Sequence, residues 1–197
     1  MSALPEMHMT HDPHPWATTL PSLLDEVWRR LARGVHDRRA AARHPTLATI
    51  SQSGAPQART VVLRAADRSG ACLRIYTDLH SAKVAELQAR RQAALHIWDR
   101  GAHLQMRFSA SVTILTGAEV ANLWAQLPQG ARLSYGGAPE PGQPLSDALA
   151  YQKSPDPAAF AVLHLDLQEM DILHLGSQHR RARFARANGW AGMWCAP

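Results

Sequence analysis

Two short stretches of this chain carry side chains suited to binding a phosphate group. The first is Arg59-Thr-Val-Val-Leu-Arg64, a predicted strand with an arginine at each end. The second contains Tyr76, Thr77, Ser81 and Lys83, where another predicted strand gives way to a helix. Arginine and lysine make short, strong hydrogen bonds to phosphate oxygens, and a helix N-terminus adds backbone N–H groups. The two stretches indicate an anion site, although a basic strand whose arginines face solvent explains the first stretch equally well.

The length and composition favour one globular domain. The chain has 197 residues, of which 46% are hydrophobic and 19% charged, so it is long enough to bury a core. We expect a mobile N-terminal tail over residues 1–18, rich in His, Pro and Met, and a single domain over residues 19–197. The net charge of +5 is compatible with an anionic ligand or with nucleic acid, and it establishes neither.

Several classes of protein are not favoured by the sequence. Cys72 and Cys195 lie far apart and form neither a zinc motif nor a disulfide framework. Histidines recur every third residue in the tail, but the prolines among them oppose a stable helix, so no metal site is predicted. No hydrophobic run is long enough for a transmembrane helix, and no signal peptide is visible. We therefore expect a cytoplasmic protein without a membrane partner.

The elements that must position the two stretches follow from the hydrophobic pattern. Helices are predicted over 20–39, 81–91 and 117–127; strands over 46–51, 57–66, 72–77, 93–98, 103–115, 160–167, 169–175, 180–186 and 190–195; and a long loop over 128–144. This many strands with few helices between them indicate an antiparallel sheet. Closing that sheet into a β-barrel with peripheral helices is the most economical way to remove its exposed edges.

Six short motifs then occur in the order and at the spacing of one known family. They are Arg59-Thr-Val-Val-Leu-Arg64, Ile75-Tyr-Thr-Asp78, Ser81-Ala-Lys83, Gln105-Met-Arg107, His179-Arg-Arg-Ala-Arg-Phe184 and the terminal Trp194-Cys-Ala-Pro197. Over roughly residues 20–197, they resemble the motifs of the pyridoxamine 5′-phosphate oxidase-like, FMN-binding split-barrel flavoproteins. The resemblance implies a mainly β fold with peripheral α-helices, an antiparallel split β-barrel, and a homodimer that binds FMN in clefts between its subunits.

The resemblance also implies roles for individual residues. Arg59 and Lys83 hold the FMN phosphate with help from Ser81, and Gln105 reaches the flavin from the partner subunit. Arg183 lies near the flavin ring, where a cation favours the anionic reduced form. The implied FMN-binding set is Arg59, Thr60, Val61, Val62, Leu63, Arg64, Tyr76, Thr77, Ser81, Lys83, Gln105 and Arg183. Each of these side chains also has an ordinary role open to it, as a packing or solvent-facing residue of a strand.

The residues that bind the substrate in this family are largely absent from the matching positions of this sequence. Apolar residues occupy the positions of a substrate-binding Tyr and Arg after the Gln-x-Arg strand, while Ala82 replaces an Arg and Leu173 replaces a Trp. Arg132, Ser134 and His179 remain as candidate substrate contacts, and no catalytic residue is assigned. We therefore expect an FMN-dependent oxidoreductase, related to the oxidase, whose substrate pocket is altered.

Two other functions remain open from the sequence. One is a non-enzymatic flavin- or haem-binding protein on the same split barrel, since the chain has many histidines but none at a spacing that demands haem. The other is a nucleic-acid-binding barrel, suggested by the net charge and by residues 180–186. The basic runs lack the interleaved aromatic residues that form stacking platforms, so no nucleic-acid partner is predicted.

Overall fold

Nine antiparallel strands and four α-helices make up the part of the chain that the computed structural model describes, residues 14–197. The strands are β1 (Thr46–Ile50), β2 (Pro56–Thr60), β3 (Leu63–Asp67), β4 (Cys72–Asp78), β5 (Gln92–Asp99), β6 (Leu104–Thr116), β7 (Phe160–Leu175), β8 (His179–Ala185) and β9 (Gly192–Cys195). The helices are α1 (Leu20–His36), α2 (Ala82–Ala89), α3 (Ala121–Gln126) and α4 (Gln129–Arg132). This confirms the prediction of a mainly β, antiparallel fold with peripheral helices.

The sheet branches at its longest strand, β7. The main path runs β2-β1-β5-β6-β7-β4-β3, and β9 joins through β8, which also pairs with β7. One edge of β7 pairs with β6 along nearly its whole length, so β4 and β8 must share the other edge. Residues 160–166 of β7 pair with β4, whereas residues 169–175 pair with β8. The two strands predicted over 160–167 and 169–175 are therefore one continuous strand.

The predicted closure of the sheet is wrong. Strands β2 and β3 end the hydrogen-bonded path, and no ladder joins them within residues 14–197. They come from one predicted strand, 57–66, which breaks because its two halves pair with different neighbours. The N–H group of Val61 donates to the carbonyl oxygen of Pro45 at 3.0 Å, while Leu63 pairs with Ile75 of β4. The break leaves β2 beside β1 and β3 beside β4.

Helix α1 packs its apolar side against the core. Its N-cap is Thr19, whose Oγ1 accepts a hydrogen bond from the backbone N–H of Ser22 at 3.3 Å. Leu23, Val27 and Leu31 recur at helical spacing and are fully buried, and each such side chain contributes roughly 1.5–3 kcal/mol of hydrophobic stabilisation. The helix contacts β3 and β9.

The part of the predicted tail that the structure describes packs against the domain. Pro15–Ala17 form a turn of 3-10 helix, and Ala17 is completely buried. The ring of His14 lies close to His174 on β7, with 3.1 Å between Nδ1 of His14 and Nε2 of His174. The earlier residues of the predicted tail lie outside the described residues.

The long segment between α3 and β7 is less irregular than its composition suggests. The predicted loop over 128–144 contains helix α4, and an isolated bridge joins Ala138 to Gln152. Gly136 anchors the segment, because its N–H donates to Oδ2 of Asp78 at 2.8 Å. Its φ of +92° favours glycine, and a Cβ atom there would come within 2.5 Å of the Cβ of Asp156.

Candidate functional site

The predicted anion site lies where β4 ends and α2 begins. Ser81 is the N-cap of α2, but its hydroxyl does not cap the first turn. Instead it donates to the carbonyl oxygen of Asp78 at 2.8 Å and lies 3.2 Å from Oγ1 of Thr77. The first turn of α2 therefore lacks a side-chain acceptor for its N–H groups, which leaves the positive end of the helix dipole suited to an anion.

Lys83 adds a positive charge to the same turn. Its Nζ donates to Oγ1 of Thr77 at 2.9 Å, which links the lysine to the end of β4. Burial lowers the pKa of Lys83, the nearby Arg59 lowers it further, and Asp78 and Glu86 act in the opposite direction. A half-buried ammonium beside another cation and at a helix N-terminus is electrostatically unfavourable unless an anion joins it.

Arg59 reaches the same place from β2. Its Nη2 donates to Oε2 of Glu86 at 2.8 Å, and its Nη1 donates to Oγ1 of Thr49. The arginine side chain is 22% exposed, so the guanidinium is held in place yet is still accessible from one side. The structure thus brings four of the predicted residues together as a cationic cluster. These residues are Arg59, Thr77, Ser81 and Lys83.

The residues between the two arginines have different surroundings. Val61 and Leu63 are buried in the hydrophobic core, whereas Thr60 is exposed and Val62 is half-buried. The Val61 and Leu63 side chains therefore serve packing, and only their backbone atoms are available to a ligand.

Arg64 contacts two tyrosines, Tyr76 and Tyr135, and no hydrogen bond between described residues joins it to the cationic cluster. Its guanidinium is 5.7 Å from the centroid of the Tyr76 ring, and its buried Nε has no hydrogen-bond partner among the described residues. Burial raises the pKa of Tyr135, and the neighbouring Arg64 opposes part of that rise. Tyr135 is 5% exposed and was not predicted, because it lies in the Pro- and Gly-rich segment read as a loop.

Gln105 and Arg183 lie on the solvent-facing side of the sheet. Gln105 pairs with Trp98 in β5 and with Leu173 in β7, and its Oε1 is 3.4 Å from Nε2 of His96. Arg183 lies in β8 opposite Asp171, which is two residues along β7 from Leu173. No hydrogen bond or ion pair between described residues connects either side chain to the cationic cluster.

Asp171 holds three arginines on this solvent-facing side. Its carboxylate accepts two hydrogen bonds from Arg181, at 2.9 and 2.8 Å, and lies 3.7 Å from Arg107 and 3.6 Å from Arg183. The hydrogen bonds from Arg181 are the main cause that lowers the pKa of Asp171. Asp171, Arg107 and Arg183 line a cavity of about 280 Å³ that also includes Met193. Sequence reasoning missed Asp171, because its arginine partners are brought to it only by strand pairing.

The three candidate substrate contacts are not brought together. Arg132 donates to the carbonyl oxygen of Ala125 at 2.8 Å and stacks over Trp124 at 5.5 Å. Ser134 lines a cavity of about 350 Å³ that also includes Asp78. His179 is exposed at the start of β8. No contact among the described side chains joins these three residues.

Two further features of residues 14–197 bear on function. No helix in this range is long and apolar enough to cross a membrane. Nor does any group of three or more His, Cys, Asp or Glu side chains in the described chain have an arrangement that could hold a metal ion.

The family of the chain follows from a comparison with known protein families. The model for "Pyridoxamine 5'-phosphate oxidase, FMN-binding domain" matches residues 14–116, more than half of the chain. The chain therefore belongs to the pyridoxamine 5′-phosphate oxidase family. Both the predicted family and the predicted cofactor, FMN, are confirmed, and the matched range contains the whole cationic cluster.

Individual relatives agree with this assignment. The chain is similar to a pyridoxine/pyridoxamine 5′-phosphate oxidase of Microcystis aeruginosa, with 36% identity over 57% of this chain and 51% of the relative. A similar oxidase of Agrobacterium fabrum shows 27% identity over 78% of this chain and 69% of the relative. The chain thus spans only about half of the length of the first of these curated relatives.

Solved structures show the same fold. A pyridoxamine 5′-phosphate oxidase-related, FMN-binding protein of Nostoc punctiforme superposes with a TM-score of 0.73 and 26% identity, covering 96% of this chain and 100% of the other. PhzG from Burkholderia lata, solved in complex with tetrahydrophenazine-1-carboxylic acid, gives a TM-score of 0.68 at 22% identity, covering 90% and 92%. The second likeness shows the fold alone.

Proposed function

We propose that this chain is an FMN-dependent oxidoreductase, related to pyridoxamine 5′-phosphate oxidase, with an altered substrate pocket. The observation that carries the proposal is the cationic cluster at the junction of β4 and α2. It lies inside the FMN-binding domain match, and its donors are the kind that phosphate requires.

The cationic cluster fits the phosphate of FMN in both charge and hydrogen-bonding capacity. Lys83 and Arg59 supply two positive charges, and the hydroxyls of Thr77 and Ser81 lie beside them. A phosphate would offset the burial and the repulsion by Arg59 that together lower the pKa of Lys83, and it would accept hydrogen bonds from the uncapped first turn of α2. When bound, FMN supplies the redox chemistry, and the protein supplies its position and its electrostatic surroundings.

We further propose that the protein is a split-barrel homodimer and that its partner subunit completes each FMN site. Gln105 and Arg183 lie on the solvent-facing side of the sheet, and within residues 14–197 no hydrogen bond or ion pair joins them to the cationic cluster of their own chain. Large apolar side chains are exposed on the neighbouring strands, directly opposite these residues: Trp98 on β5 is 43% exposed and Met193 on β9 is 56% exposed. A second copy packed there would cover apolar surface and bring Gln105 and Arg183 to the flavin of the neighbouring chain.

The substrate is proposed to differ from pyridoxamine phosphate. Leu123 and Leu127, on and just after α3, pack into a second hydrophobic cluster with Tyr135 and Phe160, so this region presents apolar rather than phosphate-binding side chains. Arg132 is engaged by a carbonyl group and by Trp124, which leaves it poorly placed to replace a lost phosphate contact. Each missing charge-assisted hydrogen bond weakens substrate binding by roughly 1.5–3 kcal/mol.

Cofactor binding and turnover are tested in sequence. FMN is added to the purified protein, excess flavin is removed by gel filtration, and the visible spectrum is recorded. Retention of one FMN per chain supports the proposal, and loss of all flavin refutes it. The loaded protein is then mixed anaerobically with pyridoxamine phosphate, pyridoxine phosphate and a panel of other amines. Bleaching by a donor other than the two phosphates supports the altered pocket, while rapid bleaching by pyridoxamine phosphate contradicts it.

A flavoprotein that no donor bleaches, yet that dithionite reduces reversibly, would favour the non-enzymatic alternative. A Soret band after incubation with haem, together with failure to retain FMN, would favour the haem-binding version of that alternative.

A further inference from the structure

Glu86 is a buried carboxylate directly behind the cationic cluster. It lies one turn after Lys83 on α2 and is 8% exposed. A buried carboxylate needs strong partners, because removing it from water is unfavourable. Glu86 was not among the residues singled out from the sequence, since a glutamate on a short helix has no distinctive pattern.

The partners of Glu86 form a closed triangle of side chains. Oε2 of Glu86 accepts hydrogen bonds from Nη2 of Arg59 at 2.8 Å and from the hydroxyl of Thr49. The same hydroxyl oxygen accepts a hydrogen bond from Nη1 of Arg59. Thr49 lies on β1, Arg59 on β2 and Glu86 on α2, so the triangle joins three elements. It fixes both the position and the plane of the guanidinium.

The triangle leaves much of Arg59 available to a ligand. A guanidinium has five N–H donors, and this network uses two of them. The remaining donors belong to a side chain that is still 22% exposed, next to Lys83. Because the plane of the guanidinium is already fixed, an anion does not have to order a flexible arginine when it binds.

We propose that Glu86 is a positioning residue for phosphate recognition, which acts by holding Arg59 in the orientation that binds the FMN phosphate. This inference rests on the proposed role of the cationic cluster as the FMN phosphate site. It predicts that the carboxylate, despite its negative charge, favours binding of the phosphate-bearing flavin. A purely electrostatic effect of Glu86 would have the opposite sign, because two anions repel each other.

The test compares FMN with riboflavin, which has the same ring and ribityl chain but no phosphate. The ratio of the two dissociation constants, riboflavin over FMN, measures the contribution of the phosphate site. Both constants are measured by quenching of flavin fluorescence for the wild type, Glu86→Ala and Glu86→Gln. Gln88→Ala, an exposed truncation on the same helix, is the matched control. We expect the ratio to fall about ten-fold in Glu86→Ala, the effect of losing one well-placed charged hydrogen bond.

Glu86→Gln retains an oxygen acceptor for Arg59, so its ratio should stay close to the wild-type value, as should that of Gln88→Ala. The effect should also depend on Arg59: adding Glu86→Ala to Arg59→Met should not change the ratio any further. A merely structural role would instead weaken FMN and riboflavin binding together and leave the ratio unchanged.

The alternative outcomes are separable. An unchanged ratio in Glu86→Ala overturns the inference, and so does a rise of the ratio in both Glu86 variants, which would show simple repulsion. If the wild type binds FMN no better than riboflavin, the phosphate site itself is refuted. If Glu86→Ala does not fold, Thr49→Val breaks the same triangle with Glu86 in place, and it must lower the ratio for the inference to stand.

Discussion

Replacing Lys83 by Met should separate the stability of the empty protein from its affinity for FMN. Methionine keeps a long unbranched side chain but removes the ammonium group. Nζ of Lys83 has three N–H donors, of which one is used by Thr77, so two are available to phosphate. Loss of a single charge-assisted bond corresponds to about 1.5–3 kcal/mol. We therefore expect the Kd for FMN to rise by about 10- to 150-fold.

The same substitution should not destabilise the protein without FMN. Burial and Arg59 lower the pKa of Lys83, so its charged form is disfavoured in the folded state. Below the folded-state pKa the ammonium therefore opposes folding. This penalty disappears as the pH rises towards the ordinary lysine value of about 10.4. As the pH rises through this alkaline range, the wild type without FMN should become more stable, while its affinity for FMN should fall. Lys83→Met should show neither change.

Fluorescence titration with FMN and riboflavin, together with thermal melts across alkaline pH, measures these effects. Lys153, the other lysine of the chain, is exposed, and Lys153→Met changes the net charge by the same amount. This control should bind FMN like the wild type. Two results would refute the reasoning: an unchanged Kd for FMN in Lys83→Met, or an equal loss of riboflavin binding.

Three further substitutions address the solvent-facing side of the sheet. Arg183→Ala should change the rate of flavin reduction in stopped-flow experiments more than the Kd for FMN, and equal reduction rates would remove Arg183 from the flavin site. Asp171→Asn should lower the free energy of unfolding by about 1–2 kcal/mol at neutral pH, because three arginines lose their shared carboxylate. Since the pKa of Asp171 is lowered, the difference in free energy of unfolding between the wild type and Asp171→Asn should shrink as the pH falls below the ordinary aspartate value of about 3.9. Urea melts that give the same difference at all pH values would contradict this prediction. Trp98→Glu should shift the proposed dimer towards monomer in light-scattering measurements, and an unchanged mass would argue against an interface at that residue.

The fold was predictable where local pattern decides the structure. Apolar and polar residues alternate along β5 and β6, and apolar residues form a stripe along α1, because one side of each element is buried. These three elements appear in the structure close to their predicted bounds. The apparent single strand over 57–66 was misread, because its break at Val61 depends on which neighbours each half pairs with. Residues 160–175 were misread in the opposite sense, as two strands, 160–167 and 169–175. Only the continuous pairing with β6 shows that they form one strand, whose other edge is shared by β4 and β8.

The candidate site, like the fold, could be predicted from the sequence only in part. Lys83, Ser81 and Thr77 are neighbours in sequence, so their grouping could be predicted from one strand end and one helix start. Glu86 and Thr49 could not be recognised, because their importance arises only when a helix and two strands place them around Arg59. Chemistry that spans several elements leaves little trace in the local sequence.

The branching of β7 gives the two ends of the proposed flavin site different mechanical support. Strand β4, which carries Thr77, is bordered by β7 on one side and β3 on the other. Strand β8 also lies between two strands, β7 and β9, but every residue of β9 is half-buried or exposed. The outer neighbour of β4, strand β3, includes the fully buried Leu63. Amide hydrogens should therefore exchange faster in β8 and β9 than in β4 and β3, because less apolar packing holds the outer strand in place. A flavin bound in this way would have its phosphate beside a rigid part of the sheet and its ring beside a more flexible part. The flexible part could then adjust to different reactants while the phosphate contacts stayed unchanged.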